Sequence, residues 1–340
     1  DASLVTALLL KIYGNNKKIT CFSYYNNKIK LNSDADIAKK QAKYLGVDFK
    51  LIKSYNGDLI SFIKNNSSFF DLRANFCDEI DFWLSFQNNY TKKNRLLLTG
   101  EEFFGINDIK SPYNEILLKS LNIYNSKNIS GTSYKHIFKN YNIISKEVDN
   151  VFNELTSNIP EDLTSLDKTQ YIYFYHHLSN ILMPWRELYG NIFFPISFPL
   201  LTNEIIDYIT MLPQGFRIDK NIMKEIAHDI NPQLFSIPRA KMSNNKPNWR
   251  VEIIKNKSLI KSELLNFTSE LDYFISGEEI DNFLDNISLN RINDLKTLGF
   301  KLYKKNRILG NLFHNIIGEP NVSREKFLLR TLLLRYALRK

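Results

Sequence analysis

The first three residues, Asp1-Ala2-Ser3, place a carboxylate and a hydroxyl directly before an apolar run at residues 4–10. Asp and Ser are favoured where the backbone N–H groups of a first helical turn need partners, so this pattern predicts a helix start. The N–H groups and the helix dipole make such a turn a ready site for an anion. The Asp1 carboxylate is also a candidate metal ligand, although from these residues alone a simple helix cap is the more economical explanation.

A second polar group, Thr99-Gly100-Glu101-Glu102, follows an apolar segment that predicts a strand at residues 95–100. Glycine allows close approach of backbone to a ligand, and carboxylates suit a hard cation, although loop acids are more often simply solvated. Tyr24 ends another predicted strand, where its ring could pack on a nucleobase or on the strand edge.

The elements that would position these residues alternate between helix and strand. Helical patterns cover residues 1–13, 34–44 and 78–87, and strand patterns cover 19–24, 47–52 and 95–100. Strands separated by helices predict βαβ units and a parallel sheet. Because ligands bind at the carboxyl ends of such strands, we expect the turn at Asp1, Tyr24 and the turn at Thr99-Gly100 to share one edge.

From residue 112 onward the strand patterns stop. Helical patterns cover residues 112–121, 134–141, 145–155, 166–188, 202–211, 221–229, 277–286, 293–317 and 323–338. An α/β half is therefore expected to precede a mostly helical half.

The composition indicates an ordinary globular protein with 44% hydrophobic and 24% charged residues and a formal charge of +9. Lysines are scattered and form no dense basic cluster before residue 324, so no nucleic-acid partner is predicted. Cys21 and Cys77 are too few for a disulfide framework and favour a reducing cytoplasm. No apolar stretch is long enough to span a bilayer, and no signal peptide is evident.

Several stretches resemble the asparagine synthetase and β-lactam synthetase family, which are N-type ATP pyrophosphatases. Asp1-Ala2-Ser3 is similar to the tail of the family's pyrophosphate loop, Ser-Gly-Gly-x-Asp-Ser-Ser. The resemblance implies that the Ser-Gly-Gly and the strand before it lie upstream of residue 1, in a longer protein. Leu98-Thr99-Gly100-Glu101-Glu102, with Gly105 after it, resembles the family's strand ending in Ser-Gly-Glu-Gly-x-Asp-Glu.

Three later stretches fit the same template in the same order. Phe198-Pro199-Leu200-Leu201-Thr202 resembles the Pro-Phe-Leu-Asp segment. Lys224 falls where the family places a Lys that opens its Lys-x-x-Leu-Arg helix. Pro238-Arg239-Ala240-Lys241 resembles the Arg-x-Lys segment before the family's mobile catalytic loop, and Trp249 follows in place.

The resemblance implies a fold and an activity. It implies a parallel sheet of the adenine-nucleotide α-hydrolase type in residues 1–110 and a helical part in residues 111–340 that completes the synthetase domain. It implies an ATP-dependent, AMP-forming ligase that adenylates a carboxylate and transfers it to an amine or to ammonia. ATP and Mg²⁺ are the expected cofactors, and the expected partners are a small-molecule or peptide carboxylate and an upstream glutaminase-like domain.

The resemblance also implies roles for individual residues. Lys241 would be the catalytic cation that stabilises the adenylate and the oxyanion. ATP and pyrophosphate would be bound by Asp1, Ser3, Tyr24, Thr99, Gly100 and Lys224, and the magnesium ligands would be Asp1, Glu101 and Glu102.

The departures from the template keep two alternatives open. The Gly-x-Asp of the second loop is missing, and the family's Glu and Arg before Pro-Phe-Leu-Asp fall on Pro195 and Ser197. Because that Glu belongs to the amide-forming chemistry of asparagine synthetase, a lasso-peptide macrolactam synthetase is a serious alternative. A degenerate homologue that binds a nucleotide or a partner without catalysis is the other.

Overall fold

The computed structural model describes residues 1–14, 18–26, 28–70, 80–90, 95–102, 135–184, 186–187, 194–240, 247–266, 268–287 and 324–339. Over these residues the protein is a mixed α/β structure in which helices predominate. Lys241, Cys77, Gly105 and the helices predicted at 112–121 and 293–317 lie outside them.

The first part of the chain contains α1 (Ala2–Tyr13), β1 (Thr20–Tyr25), α2 (Asp34–Leu45), β2 (Asp48–Lys53), α3 (Leu59–Phe70), α4 (Ile80–Asn89) and β3 (Leu97–Leu98). A 3₁₀ turn at Lys135–Ile137 is followed by α5 (Tyr141–Ser157), α6 (Ser165–Ile172), a π-helical segment (Tyr173–Leu182), β4 (Ile196–Ser197) and α7 (Asn203–Met211). Next come α8 (Gln214–Arg217), a 3₁₀ turn (Ile218–Lys220), α9 (Asn221–Ile230) and α10 (Pro232–Phe235). The last elements are α11 (Trp249–Lys255), α12 (Lys257–Leu265), α13 (Leu271–Phe274), α14 (Gly277–Asp285) and α15 (Arg324–Ala337).

The helix and strand patterns at residues 1–53 are confirmed within a residue or two. Ser33 caps α2 by accepting the backbone N–H of Asp36 at 3.4 Å, and Gly46 ends it in the left-handed conformation at φ 69°. Left-handed backbone is easy for glycine and strained for other residues, so this C-cap is readable from the sequence.

Other predictions were wrong or incomplete. The strand expected at 95–100 pairs only over Leu97–Leu98, and its partner β4 lies where no strand was expected. The helix expected at 134–141 is a short 3₁₀ turn, after which Phe138 forms an antiparallel bridge with Ile275. Helices α3, α11 and α12 were not predicted. A strand of two residues is too short to show an alternation of apolar and polar residues, so its extent depends on tertiary pairing.

The strands in the described ranges form two parallel pairs. Strands β1 and β2 pair from Thr20 opposite Asp48 to Tyr25 opposite Lys53. Strands β3 and β4 pair with Leu97 opposite Ile196 and Leu98 opposite Ser197. The predicted parallel direction is confirmed; within the described ranges β1 pairs with β2, and β3 pairs with β4.

Two compact units divide the chain. Unit 1 comprises the described residues within Asp1–Asn56, Glu79–Tyr124 and Val148–Lys246, and unit 2 those within Gly57–Asp78, Asn125–Glu147 and Pro247–Lys340. Because the units interleave along the chain, contacts do not follow a single boundary; the boundary at 110/111 stays a prediction.

The core of unit 1 joins the start of the chain to its later helices. Leu4 and Val5 of α1 pack with Leu200, Ile209 of α7 and the α9 residues Met223 and Ala227, all less than 10% exposed. Removal of such side chains from water is the main stabilising term of a fold, so α1 and α9 are held in fixed positions.

Unit 2 is built around the pairing of α3 with α15. Arg335 of α15 is 5% exposed and donates from Nη1 to Asp272 Oδ2 at 2.9 Å and from Nη2 to the Leu264 carbonyl at 2.8 Å. These acceptors offset part of the cost of burying the charge, although the buried Nε has no hydrogen-bond partner in the described structure. In the described part of the chain no helix has both the length and the apolar character that a membrane crossing requires.

Candidate functional site

The turn after β3 lies directly against the first turn of α1. A Cβ atom on Gly100 would come within 2.3 Å of the Ala2 backbone nitrogen and 2.8 Å of the Asp1 carbonyl carbon. No side chain fits there, because such distances are far below van der Waals contact. The two motifs predicted to meet therefore do meet, and Gly100 is required at this point because backbone fills the space that a side chain would take.

Lys220 connects these two motifs by charge. Its Nζ lies 2.8 Å from Asp1 Oδ2 and 2.6 Å from Glu102 Oε1, and the side chain of Glu102 is only 10% exposed. Lys220 sits at the kink before α9 with a left-handed backbone, φ 60° and ψ 34°, and Asp219 before it has φ 53°. Two successive non-glycine residues in this region store strain, which is typical of functional sites.

Sequence reasoning missed Lys220. It assigned the helix-opening Lys to Lys224, one turn inside α9, whereas the residue at the N-cap of α9 is Lys220. The signal was present, because Lys220 directly precedes the amphipathic pattern of residues 221–229.

Glu101 faces a different partner from Glu102. Its Oε1 accepts a bond from Arg186 Nε at 2.9 Å, and both side chains are about one-fifth exposed (22% and 18%). Arg186 was not among the predicted site residues. The structure therefore separates the two predicted metal ligands: Glu102 shares a cation with Asp1, and Glu101 pairs with an arginine.

Tyr173, at the start of the π-helical segment, packs on the unit 1 core near the acidic loop. Burial, with the negative charges of Glu102 and Glu101, raises the pKa of Tyr173 to about 12, so the phenol keeps its proton at neutral pH. The His177 ring stacks on Tyr173 with centroids 5.4 Å apart, and burial lowers the pKa of this imidazole. Tyr173 and His177 are therefore both uncharged at neutral pH.

A cleft of about 700 Å³ opens beside Asp1 and Ser3. Its polar lining includes the cations Lys220, Lys224 and Arg239. The N-terminal turns of α1 and α9 both border it, so helix dipoles add to the positive character of this end. The other lining residues come from α1, α2 and the segment from α9 to residue 240; they are Leu4, Asp34, Ile37, Ala38, Gln41, Met223, Ala227, His228, Phe235, Ile237 and Ala240.

Two predicted phosphate ligands have contrasting hydrogen bonds. The Ser3 hydroxyl lies 2.6 Å from Gln41 Oε1 and donates to it, which ties the first turn of α1 to α2. The Thr99 backbone N–H donates to the Ser197 carbonyl at 3.2 Å, while its buried Oγ1 has no hydrogen-bond partner in the described structure. A buried hydroxyl without a partner costs free energy, and a ligand at this turn would relieve that cost.

Tyr24 packs against α4. Its ring packs edge-on against Phe82 of α4 with centroids 5.3 Å apart, and it does not belong to the lining of the cleft. The structure thus brings together Asp1, Ser3, Gly100, Glu102 and Lys224, adds Lys220 and Arg239, and leaves Tyr24 and Glu101 on other contacts. Lys241 lies outside the described residues.

The donor set fits magnesium as a nucleotide-bound ion. Asp1 and Glu102 provide two carboxylates within reach of one cation, a place that the Lys220 ammonium takes in this structure. Mg²⁺ commonly binds through one or two carboxylates together with phosphate oxygens. Over the described ranges, no three His, Cys, Asp or Glu side chains are grouped as a self-sufficient metal site would need.

Comparison of the chain with protein-family models, with curated proteins and with solved structures found no match.

Proposed function

We propose that the chain is an ATP-dependent, AMP-forming ligase that resembles asparagine synthetase and makes an amide from a carboxylate and an amine or ammonia. One observation carries the proposal: Gly100 lies against the backbone of Asp1 and Ala2, and Lys220 binds Asp1 and Glu102 together. Three stretches far apart in the sequence thus meet at one turn, as the proposed reaction requires.

The charges in the cleft suit a polyphosphate. Lys220, Lys224 and Arg239 line the same cleft as the first turn of α1. Positive side chains and backbone N–H groups held in place before the reaction stabilise charge that develops on phosphate oxygens. Asp1 and Glu102 would hold magnesium, which neutralises the phosphates further.

The proposed reaction has two steps. In the first, a carboxylate oxygen of the acid substrate attacks the α-phosphorus of ATP, and pyrophosphate leaves with the bonding electrons. In the second, an amine attacks the acyl carbon, AMP leaves, and the amine gives up a proton. Lys241 is proposed to stabilise the adenylate and the tetrahedral oxyanion, in agreement with the motif around it.

Pyrophosphate–ATP exchange tests the first step. We expect exchange that depends on a carboxylate, measured with a panel of amino acids and carboxylate-bearing peptides. Asp1→Asn, Lys220→Met and Lys241→Ala should each abolish it. Lys255→Met is the matched control, because Lys255 of α11 is 64% exposed and pairs only with the nearby Glu252 in the described structure.

The outcomes separate the alternatives. If the protein binds ATP-Mg²⁺ but no carboxylate supports exchange, it is a non-catalytic nucleotide-binding homologue. If it binds neither ATP-Mg²⁺ nor pyrophosphate, the proposal is rejected.

A macrolactam synthetase is the second candidate, favoured by the position of Pro195. Its carbonyl accepts the Leu97 N–H at 2.9 Å, so the place of the family's catalytic Glu is occupied by a residue that extends the β3–β4 pairing. In that reaction the activated carboxylate and the attacking amine belong to one peptide. Formation of a cyclic product with loss of one water would support this candidate over asparagine formation.

A further inference from the structure

The strained turn that carries Lys220 follows directly after Arg217, the last residue of α8. The Arg217 side chain is buried, and it does not belong to the lining of the described cleft. Its Nη2 lies 2.8 Å from Asp167 Oδ1 in α6, and its Nη1 donates to Gln170 Oε1, one turn further along the same helix. Its Nε has no hydrogen-bond partner in the described structure. Two donor groups of one guanidinium therefore fix the end of α8 to α6.

Gln214 and Thr164 extend this contact between α6 and α8. Gln214 Nε2 donates to Thr164 Oγ1 at 2.6 Å and to Asp167 Oδ2 at 3.3 Å, and Thr164 Oγ1 donates to Asp167 Oδ2 at 2.7 Å. Burial by itself would raise the pKa of Asp167, but the hydrogen bonds from Thr164 and Arg217 outweigh burial and lower the pKa, so the carboxylate is charged at neutral pH. We call these residues the α6–α8 clamp: Thr164, Asp167, Gln170, Gln214 and Arg217.

The residues after the clamp adopt a backbone that non-glycine residues disfavour. Asp219 has φ 53° and ψ 24°, and Lys220 has φ 60° and ψ 34°. After the turn, Asn221 Nδ2 donates to the Gly215 carbonyl at 3.0 Å, which fastens the start of α9 to α8. Left-handed backbone at such residues persists only where surrounding contacts hold it. The clamp lies immediately before the turn and holds α8 in place, so its loss should let the turn relax.

We propose that Arg217 is a positioning residue for Lys220. Through the α6–α8 clamp it keeps Asp219 and Lys220 in their left-handed conformation. The Lys220 ammonium is thereby held between the carboxylates of Asp1 and Glu102. The consequence for catalysis rests on the proposed function, whereas the consequence for the position of Lys220 does not.

Competitive acetylation of the lysines in the ligand-free chain, measured by mass spectrometry, tests the position of Lys220. A lysine nitrogen that lies between two carboxylates is shielded from the reagent. The strain of one left-handed residue corresponds to roughly 5- to 150-fold in the equilibrium between turn conformations. We therefore expect Arg217→Met to raise the acetylation rate of Lys220 about fivefold or more. Lys40 and Lys255, which pair with carboxylates on α2 and α11, are internal references whose rates should not change.

A glycine at position 219 separates positioning from a general loss of stability. Glycine adopts left-handed backbone without steric cost, so Asp219→Gly added to Arg217→Met should restore most of the protection of Lys220. Ile159→Ala is the matched control, because Ile159 packs with Ile172 in a buried cluster of unit 1. It removes core packing and should leave the acetylation rate of Lys220 within about twofold of the wild type.

A milder variant keeps the test decisive if Arg217→Met does not fold. Gln214 is partly exposed, and Gln214→Ala removes its two hydrogen bonds of the clamp while Arg217 stays in place. We expect it to raise the acetylation rate of Lys220 about two- to fivefold. The inference is overturned if Lys220 reacts at the wild-type rate in both variants, or if Asp219→Gly restores no protection, since Arg217 would then serve stability alone.

Pyrophosphate–ATP exchange measures the effect on the proposed reaction. Arg217→Met should lower kcat about tenfold or more, and Asp219→Gly in the same chain should recover part of the loss. If the wild type catalyses exchange and Arg217→Met leaves kcat unchanged, the positioning role is rejected. If the wild type catalyses no exchange, the proposed function loses its support, and the acetylation rates still decide whether Arg217 positions Lys220.

Discussion

Replacement of Lys220 by methionine removes the charge that joins Asp1 to Glu102 and keeps most of the length of the side chain. The Asp1 carboxylate is 40% exposed, so its pair with Lys220 contributes no more than about 1 kcal/mol after screening by solvent. The Glu102 side chain is 10% exposed and Lys220 is one of its partners; loss of one partner costs less than the about 3–5 kcal/mol found where a fully buried charge is left unpaired. Lys220 itself is 24% exposed, so solvent screens both pairs in part. We therefore expect the loss of the two pairs together to lower the free energy of unfolding by about 2–3 kcal/mol.

The assay is urea unfolding at neutral pH, with amide exchange of α1 as a local probe. Lys224→Met is the matched control: this lysine lies one turn further along α9, and its Nζ is 3.5 Å from Asn221 Oδ1, the longest distance at which a hydrogen bond is counted. We expect its cost to stay below about 0.5 kcal/mol, as for an ordinary surface change. High salt should reduce the Asp1 contribution more than that of Glu102, because exposed charges are screened more strongly. If Lys220→Met costs no more than Lys224→Met, the assignment of Lys220 as the central cation of the site is wrong.

Two further changes test the geometry of each unit. Gly100→Ala should destabilise unit 1 by about 1–3 kcal/mol, because its Cβ would overlap the Ala2 backbone, whereas Gly215→Ala in α8 meets no atom within 4 Å and should be neutral or stabilising in thermal unfolding. Arg335→Met should destabilise unit 2 by about 2–3 kcal/mol at pH 7, since it leaves Asp272 and the Leu264 carbonyl without their buried donor. The hydrogen bond from Arg335 lowers the pKa of Asp272, so the carboxylate stabilises the folded state above its unfolded pKa of about 3.9, and this contribution disappears as the pH falls through the folded value. The difference in stability between the wild type and Arg335→Met should therefore narrow in acid unfolding curves as the pH falls below about 4, down to the part due to the Leu264 carbonyl, and a constant difference across that range would contradict the role given to this pair.

The predictions of α1, β1, α2 and β2 were confirmed because they depend on local sequence patterns. Helical spacing, the Ser33 cap and the glycine at 46 are properties of neighbouring residues, and a helix or strand of this length shows its period directly. The meeting of Asp1 with Gly100 was also predictable, although only from the rule that the ends of parallel strands share an edge. The strand β4 could not be predicted from the sequence, because two residues are too few to show a periodic pattern.

What the sequence determined by itself is the alternation of helices and strands in its first part, the parallel direction of the strands and the two polar turns that border the site. Only the tertiary structure shows which cation joins those turns. Lys220 is 219 positions from Asp1, and the residues around a lysine do not indicate which distant carboxylate it will pair with. The tertiary structure also turned Tyr24 towards Phe82 and Glu101 towards Arg186. The reason is physical, since the direction of a side chain depends on which distant surfaces pack beside it, and that packing is settled only when the whole core forms.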